Sequence, residues 1–462
     1  MLRFLILSIL SVTLMAGGPA VSADLQKGVE ASKNGDFATA MKEWRPLAEQ
    51  GDADAQYYMG ALYYSGKGVP QDDREALKWY TLAAKQGVVD AQVYVGNMYY
   101  NGLGVPEDRI AAARWYTRAA ERGYAVAQRD LGILYRAGDG VNQNDKVAVM
   151  WFTRAAKQGD SAAQTLLGSM YRVGKGVPTD YKASFKWLSL AVEQGNKDAQ
   201  YFLGAAYFYG KGVPRNYKTA IKLYTLAAEQ GQVDAQAILG SSYRMGKGVP
   251  RNYEAAAKWF AKASMQGDAR ATVSLGDMYM RGQGVSKNIK VGVKLITKVA
   301  ESGHQEAQYM LASMYKDGQG VPQNYKVAAN WYSLSAMQGN SSAQTDLAEL
   351  YADGKGVPQD HEAARKLFIS AAERGHVPAM IALTDMYASG QGVPVDGPRA
   401  LMWLMIAAAY GNRLTYNVDG VIRLRDELAG MASPAEKSKA QKMAREWMEK
   451  HPNPLAKFSK NF

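Results

Sequence analysis

A chain of 462 residues is too long to bury one compact core unless it is elongated or divided. Its 47% apolar and 21% charged residues are those of a folded protein, which excludes disorder over most of the length, and its formal charge of +12 is clearly basic. The absence of cysteine excludes disulfides, thiolate metal sites, a cysteine nucleophile and a lipoprotein anchor.

In chain order, the first element is a targeting segment. Arg3 is its only charge, an apolar run follows from Phe4 to Met15, and Val21-Ser22-Ala23 forms a small-residue cleavage signature. Residues 1–23 therefore read as a signal peptide cleaved after Ala23, and the mature chain is expected to begin at Asp24 in the periplasm or outside the cell. The apolar run is too short to span a bilayer comfortably, and polar residues interrupt every later one, so no integral span is expected after cleavage. Loss of Arg3 lowers the charge from +12 to +11. Lys and Arg form no contiguous block, so the charge reads as solvated helix faces. In an exported protein it suits acidic proteins, anionic polymers or a membrane surface as partners rather than nucleic acid.

A period of 36 residues then dominates. The loop Gly66-Lys67-Gly68-Val69-Pro70 recurs in phase at Gly102, Gly138, Gly174 and onward to Gly390. The tyrosine at 63 recurs at 99, 135, 171 and onward to 387 without exception. Ten units fill residues 52–411, and each reads as two helices. In the first unit Asp52 is the N-cap, and Gln56, Met59, Gly60 and Tyr63 fall on one helical face. Gly66 and Gly68 permit left-handed backbone and Pro70 prevents continuation. Ala76, Trp79, Tyr80, Ala83 and Ala84 mark the second helix, which Gly87 ends as C′ glycine. Neither helix pair can cover its own apolar face, so neighbouring pairs must stack. The tryptophan beat runs through Trp79, Trp115, Trp151, Trp187, Trp259, Trp331 and Trp403, with leucine at 223, 295 and 367. Tyr63 and these tryptophans are assigned to scaffold.

The ends depart from the beat. Residues 24–51, with Gly35-Asp36-Phe37 leading to Gly51, read as an N-terminal half-repeat cap. Residues 412–450 read as a C-terminal helical cap of two helices, 414–430 and 435–450. Ser433-Pro434-Ala435-Glu436 supplies an N-cap, an N1 proline and a capping-box glutamate for the second. Residues 451–462, with Pro452 and Pro454, are expected to be a flexible tail.

The pattern A-Q-x-x-L-G-x-x-Y-x-x-G-x-G-V-P, then A-x-x-W-[YF]-x-x-A-A-x-x-G, closely resembles the Sel1-like repeat, a relative of the tetratricopeptide repeat with a longer Gly-rich loop. Ala163 to Gly195 shows it well, with Ser184 replacing the second-helix alanine. The resemblance covers roughly residues 26–411. It implies an all-α, right-handed superhelical α-solenoid that binds proteins and assembles complexes. Bacterial members it implies include periplasmic regulators, envelope and exopolysaccharide factors, and host-interacting proteins such as an immunoglobulin A binder.

No motif points to catalysis or a cofactor. A phosphate-cradling glycine loop follows a strand and occurs once or twice, not ten times. None of His304, His361, His376 and His451 has a second ligand at i+3 or i+4, as a helical metal site needs. The sequence Ser184-Phe185-Lys186 has the wrong spacing for a β-lactamase motif. Function is therefore sought at positions that vary between units. On the first helices, positions equivalent to 57, 61 and 64 lie away from the scaffold face and are expected to line the inner curve. Tyr57, Tyr58, Tyr64, Tyr94, Tyr100, Arg136, Arg172, Tyr201, Phe208 and Arg244 are the candidate partner-binding residues, because Tyr and Arg are enriched at interface hot spots. An acidic or extended protein partner is expected. The alternatives are an envelope polysaccharide stacked on the same tyrosines, or packing of those rings between adjacent first helices.

Overall fold

The computed structural model describes residues 19–411 and 418–452, and these contain 24 α-helices and no strand. Most of the expected signal segment (1–18), the link 412–417 and the end of the expected tail (453–462) lie outside the described residues. The chain divides into two compact units, one ending at Ala235 and the other beginning at Gln236.

Twenty of the helices form ten hairpins between residues 53 and 410. The first hairpin is α3 (Ala53–Ser65) and α4 (Asp73–Lys85), and nineteen of the twenty helices have 13 residues. Local sequence sets both ends. The Asp52 carboxylate accepts from the Ala55 N–H, and Gly66 closes α3 at φ +66° in the left-handed region. In every unit the N-cap residue of the second helix donates its N–H to the carbonyl of the loop tyrosine, as in Asp72 to Tyr63 at 3.0 Å. That bond fixes the loop.

Two glycines carry most of the packing geometry. A Cβ on Gly60 would lie 2.6 Å from the Tyr80 ring, so the absent side chain lets the two helices of a hairpin close on an aromatic ring. The second loop glycine joins consecutive repeats. A Cβ on Gly140 (φ +71°) would lie 2.1 Å from the carbonyl oxygen of Arg109, the first residue of the previous second helix. The Gly-x-Gly loop is thus a spacing device between repeats.

Within each unit, the second helix of one repeat packs on the first helix of the next. Tyr80, Ala83 and Ala84 meet Ala91, Val95 and Met98, and in the second unit Tyr332 and Ala336 meet Ala343 and Leu347. Glutamines reinforce these seams. Gln128 is buried, donates to the Ala120 carbonyl at 3.1 Å and accepts from Gln158 at 2.8 Å. Trp79, Trp151 and Trp403 are buried, whereas Trp115, Trp187, Trp259 and Trp331 are half-buried. Cations stack on several of these rings, including Arg118 on Trp115 and Arg154 on Trp151.

The N-terminal segment is more than a half-unit. α1 (Pro19–Lys33) and α2 (Phe37–Glu49) form a complete hairpin with a shortened loop. Gly28 faces Trp44 as Gly60 faces Tyr80, and Gly68 sits on Phe37 as later loop glycines sit on later repeats. At the other end, α23 (Val418–Met431) and α24 (Pro434–Lys450) pack on the last repeat helix, α22 (Gly397–Tyr410). Trp447 stands 5.4 Å from Trp403 and 5.7 Å from Tyr410. The capping box of Ser433 and Glu436 forms as expected. His451, placed by sequence in the tail, instead ends α24 and stacks on Trp447 at 4.4 Å.

Candidate protein-binding face

The structure sorts the ten candidate residues by what their rings and charges already touch. In the first unit, Tyr57, Tyr64 and Tyr94 converge on Tyr80, one of the residues by which the sequence marks the second helix. Tyr94 stacks on Tyr80 at 4.8 Å with nearly parallel planes, and Tyr57 and Tyr64 lie 5.7 and 6.3 Å from it. Tyr58 stacks instead on Trp44 of α2, at 4.6 Å. Tyr100 stands apart from this group, because the Arg109 guanidinium covers its ring at 3.6 Å. Tyr201 and Phe208 approach Tyr224 at 6.0 Å each, repeating the first cluster four units on. Phe208 is buried and therefore belongs to the packing. All the other candidates are half-buried. Much of the ring area thus packs between adjacent first helices, and a sugar-stacking platform would need those ring faces open.

The arginines differ from one another. Arg244, in the second unit, reaches Asp277 at 3.9 Å and lies over the Phe260 ring. Arg172 lies over Phe202 at 5.1 Å, and its Nε has no hydrogen-bond partner among the described residues. Neither Arg136 nor Arg172 has a carboxylate partner among the described residues. Nearby Arg129 shows the contrast, because it is neutralised by Asp130 at 2.8 Å and Asp160 at 3.2 Å. Burial still raises the Asp130 carboxyl above its ordinary range despite that pair. In the second unit the equivalent face turns acidic. Burial, and the neighbouring Asp346, raise Glu349, and burial raises Asp385.

Sequence reasoning missed a pair of buried hydroxyls. Tyr80 and Tyr224 are fully buried and their hydroxyls have no partner among the described residues. The equivalent Tyr116 donates to Asn97 at 2.6 Å, and Tyr332 meets Ser313 at 3.0 Å. The difference lies 19 residues upstream, where Ala61 and Ala205 replace the polar residue. Burial pushes the Tyr80 hydroxyl far above its ordinary range. Reading positions 61 and 80 of each unit as a pair would have exposed this mismatch.

Two of the histidines have structural partners. His304 accepts the Ala307 N–H as an N-cap, and His376 bonds Thr345 at 2.9 Å. Among the described residues no group of three His, Asp or Glu side chains is placed to hold a metal ion.

The family model described as Sel1 repeat matches ten consecutive 36-residue segments, from 53–88 to 377–412. The chain belongs to the Sel1 repeat family. A similar solved structure is that of c5321, a protective antigen present in uropathogenic Escherichia coli strains that displays an SLR fold. It is 30% identical, spans 91% of this chain and 97% of its own, and has a TM-score of 0.58. A Sel1 repeat protein from Oxalobacter formigenes is 32% identical over 52% of this chain and 96% of its own, with a TM-score of 0.49. No curated protein matches. For this Sel1 repeat chain the ten-unit fold is therefore shown, and such folds are typical of protein-interaction scaffolds.

Proposed function

We propose that the chain is an exported, non-enzymatic scaffold that holds an acidic, extended segment of a partner protein against the first helices of its first unit. The observation that carries this reading is the pair Arg136 and Arg172. Both are half-buried in consecutive repeats at the same position, and neither is neutralised by a carboxylate among the described residues. A half-desolvated guanidinium gains most from a partner carboxylate, because the fork geometry is bidentate and part of the desolvation is already done. Half-buried Tyr94 and Tyr201 flank the two arginines in the neighbouring repeats, with Tyr57 and Tyr64 one repeat further towards the N-terminus, which suits a rim of amphipathic rings around a charged centre. The family supports a binding rather than a catalytic role, and the signal-like segment supports export.

The test uses the mature chain with a photocrosslinking residue at 136 or 172, and at 226 on a second helix as control. Crosslinked protein is recovered from the envelope and identified by mass spectrometry. A partner joined at 136 and 172 but not at 226 is expected, and R136E/R172E should abolish its binding. Unchanged affinity in R136E/R172E with an intact helical spectrum would refute the assignment. N-terminal sequencing of the exported chain should give Asp24 as its first residue.

A further inference from the structure

The positive charge that forms no block in the sequence is gathered by the fold. Every loop, with the start of the second helix that follows it, occupies one edge of its unit. The reason is that the second loop glycine seats on the preceding second helix, as Gly212 does on Tyr181 and, in the second unit, Gly284 on Tyr253. Over that thirteen-residue segment the edge carries +2 in repeat 4 (174–186), +4 in repeat 5 (210–222), +2 in repeat 6 (246–258) and +3 in repeat 7 (282–294). The other six repeats each lie between −1 and +1. Four loop edges thus hold +11 of the net +12. In repeats 5 to 7 the N-caps are Asn216, Asn252 and Asn288, without the carboxylate that Asp180 brings in repeat 4.

A second observation coincides with the first. The residue just before the loop is a large apolar or aromatic side chain only in repeats 4 to 6, and there it is exposed, as Val173 (47%), Tyr209 (62%) and Met245 (62%). At the same position the other repeats carry Ser65, Asn101, Ala137, Arg281, Asp317, Asp353 and Ser389. Repeat 7 contributes exposed Ile289 instead. Exposed apolar side chains set among exposed cations suit a partner that offers an anionic layer and an apolar layer together.

We propose that this edge, in each unit taken by itself, is a peripheral docking surface for an anionic lipid bilayer. In the first unit Lys182, Lys211, Arg215 and Lys218 meet phosphate headgroups while Val173 and Tyr209 enter the interface. In the second unit Lys247, Arg251, Lys287 and Lys290 do so with Met245 and Ile289. A bilayer takes both components, whereas a nucleic acid or acidic polysaccharide would use the charge and leave the apolar side chains in water. Docking is peripheral, since no helix among the described residues is long and apolar enough to cross a membrane. None of these residues is Arg136 or Arg172, so either proposal can fail without the other.

The experiment is flotation of the mature chain with vesicles of phosphatidylcholine alone or mixed with phosphatidylglycerol. Binding is expected only to the mixed vesicles, weakened by salt. At about fivefold in partition coefficient per cation, K211E/R215E/K218E and K247E/R251E/K290E should each lose on the order of a hundredfold. Matching helical spectra establish that the variants fold. K355E/R365E/K366E in repeat 9 makes the same change in net charge off the patch and should lose far less. V173S/Y209S should weaken binding even at high salt, which charge alone does not predict. Equal binding to both vesicle types, an equal loss in the repeat 9 variant, or binding to heparin without binding to vesicles would each overturn the proposal.

Discussion

Arg122→Gln should stabilise this protein, because repeat 2 lacks a hydrogen bond that six other repeats have. In those, the glutamine ending one second helix donates to the buried glutamine 30 residues earlier: Gln86 to Gln56 and Gln194 to Gln164 at 2.9 Å, Gln338 to Gln308 at 2.8 Å. Where Arg122 stands, its guanidinium bonds the Gly87 carbonyl instead, and the Oε1 of Gln92 is buried with no partner among the described residues. Glutamine at 122 would keep the Gly87 contact, as Gln86 keeps Gly51 at 2.8 Å, and would also reach Gln92. One recovered buried hydrogen bond is worth about 1 kcal/mol, or roughly fivefold in hydrogen-exchange protection for repeat 2 amides. Arg374→Gln should do the same for Gln344, whose Oε1 also has no partner among the described residues. The control is a cycle with Gln92→Met, in which the gain from Arg122→Gln must vanish. An equal gain in that background, or no gain with Gln92 present, would refute the argument.

Other substitutions test other links. Tyr80→Phe should be nearly neutral in chemical denaturation, whereas Tyr116→Phe should cost about 1–3 kcal/mol by stranding Asn97. Equal costs would mean the Tyr80 hydroxyl has a partner. Gly140→Ala combines left-handed strain of about 1–3 kcal/mol with a backbone clash, while Gly159→Ala, with open space around it, carries the strain alone. The first should therefore be the more damaging, and equal losses would remove the spacing role from the loop glycine. Trp151→Ala should cost roughly 3–5 kcal/mol, with exchange protection lost in adjacent repeats as well as its own. Burial lowers the His376 pKa below its ordinary 6.5, so the unfolded chain takes up the proton first as pH falls. Stability should be fully present above pH 6.5 and decline below it, and His376→Gln should flatten that decline in melts at several pH values.

Much of the repeat architecture was legible from local chemistry. Asp52, Asp160 and Asn196 cap helices as their side chains demand, Gly66 turns left-handed where the helix must stop, and Ser433 with Glu436 closes a capping box. Less of the candidate face was legible. Tyr57, Tyr64 and Tyr94 look alike on paper, yet Tyr94 spends its face on Tyr80, and Tyr100 is covered by Arg109. The N-terminal hairpin reads in sequence as half a unit because its loop is shortened: Trp44 keeps the 36-residue beat with Tyr80, but Gly28 falls 32 residues before Gly60.

The sequence by itself determined the helices, their ends and the need to stack, because capping, left-handed glycine and amphipathic spacing act within a few residues of the chain. Only the tertiary structure decided which side chains 19, 30 or 36 residues apart would meet. Those meetings strand the Tyr80 and Tyr224 hydroxyls, leave Gln92 half-satisfied and bring scattered lysines to one edge of each unit. Hydrogen bonding and electrostatics depend on distance in space, and a period of 36 residues converts positions far apart in sequence into neighbours.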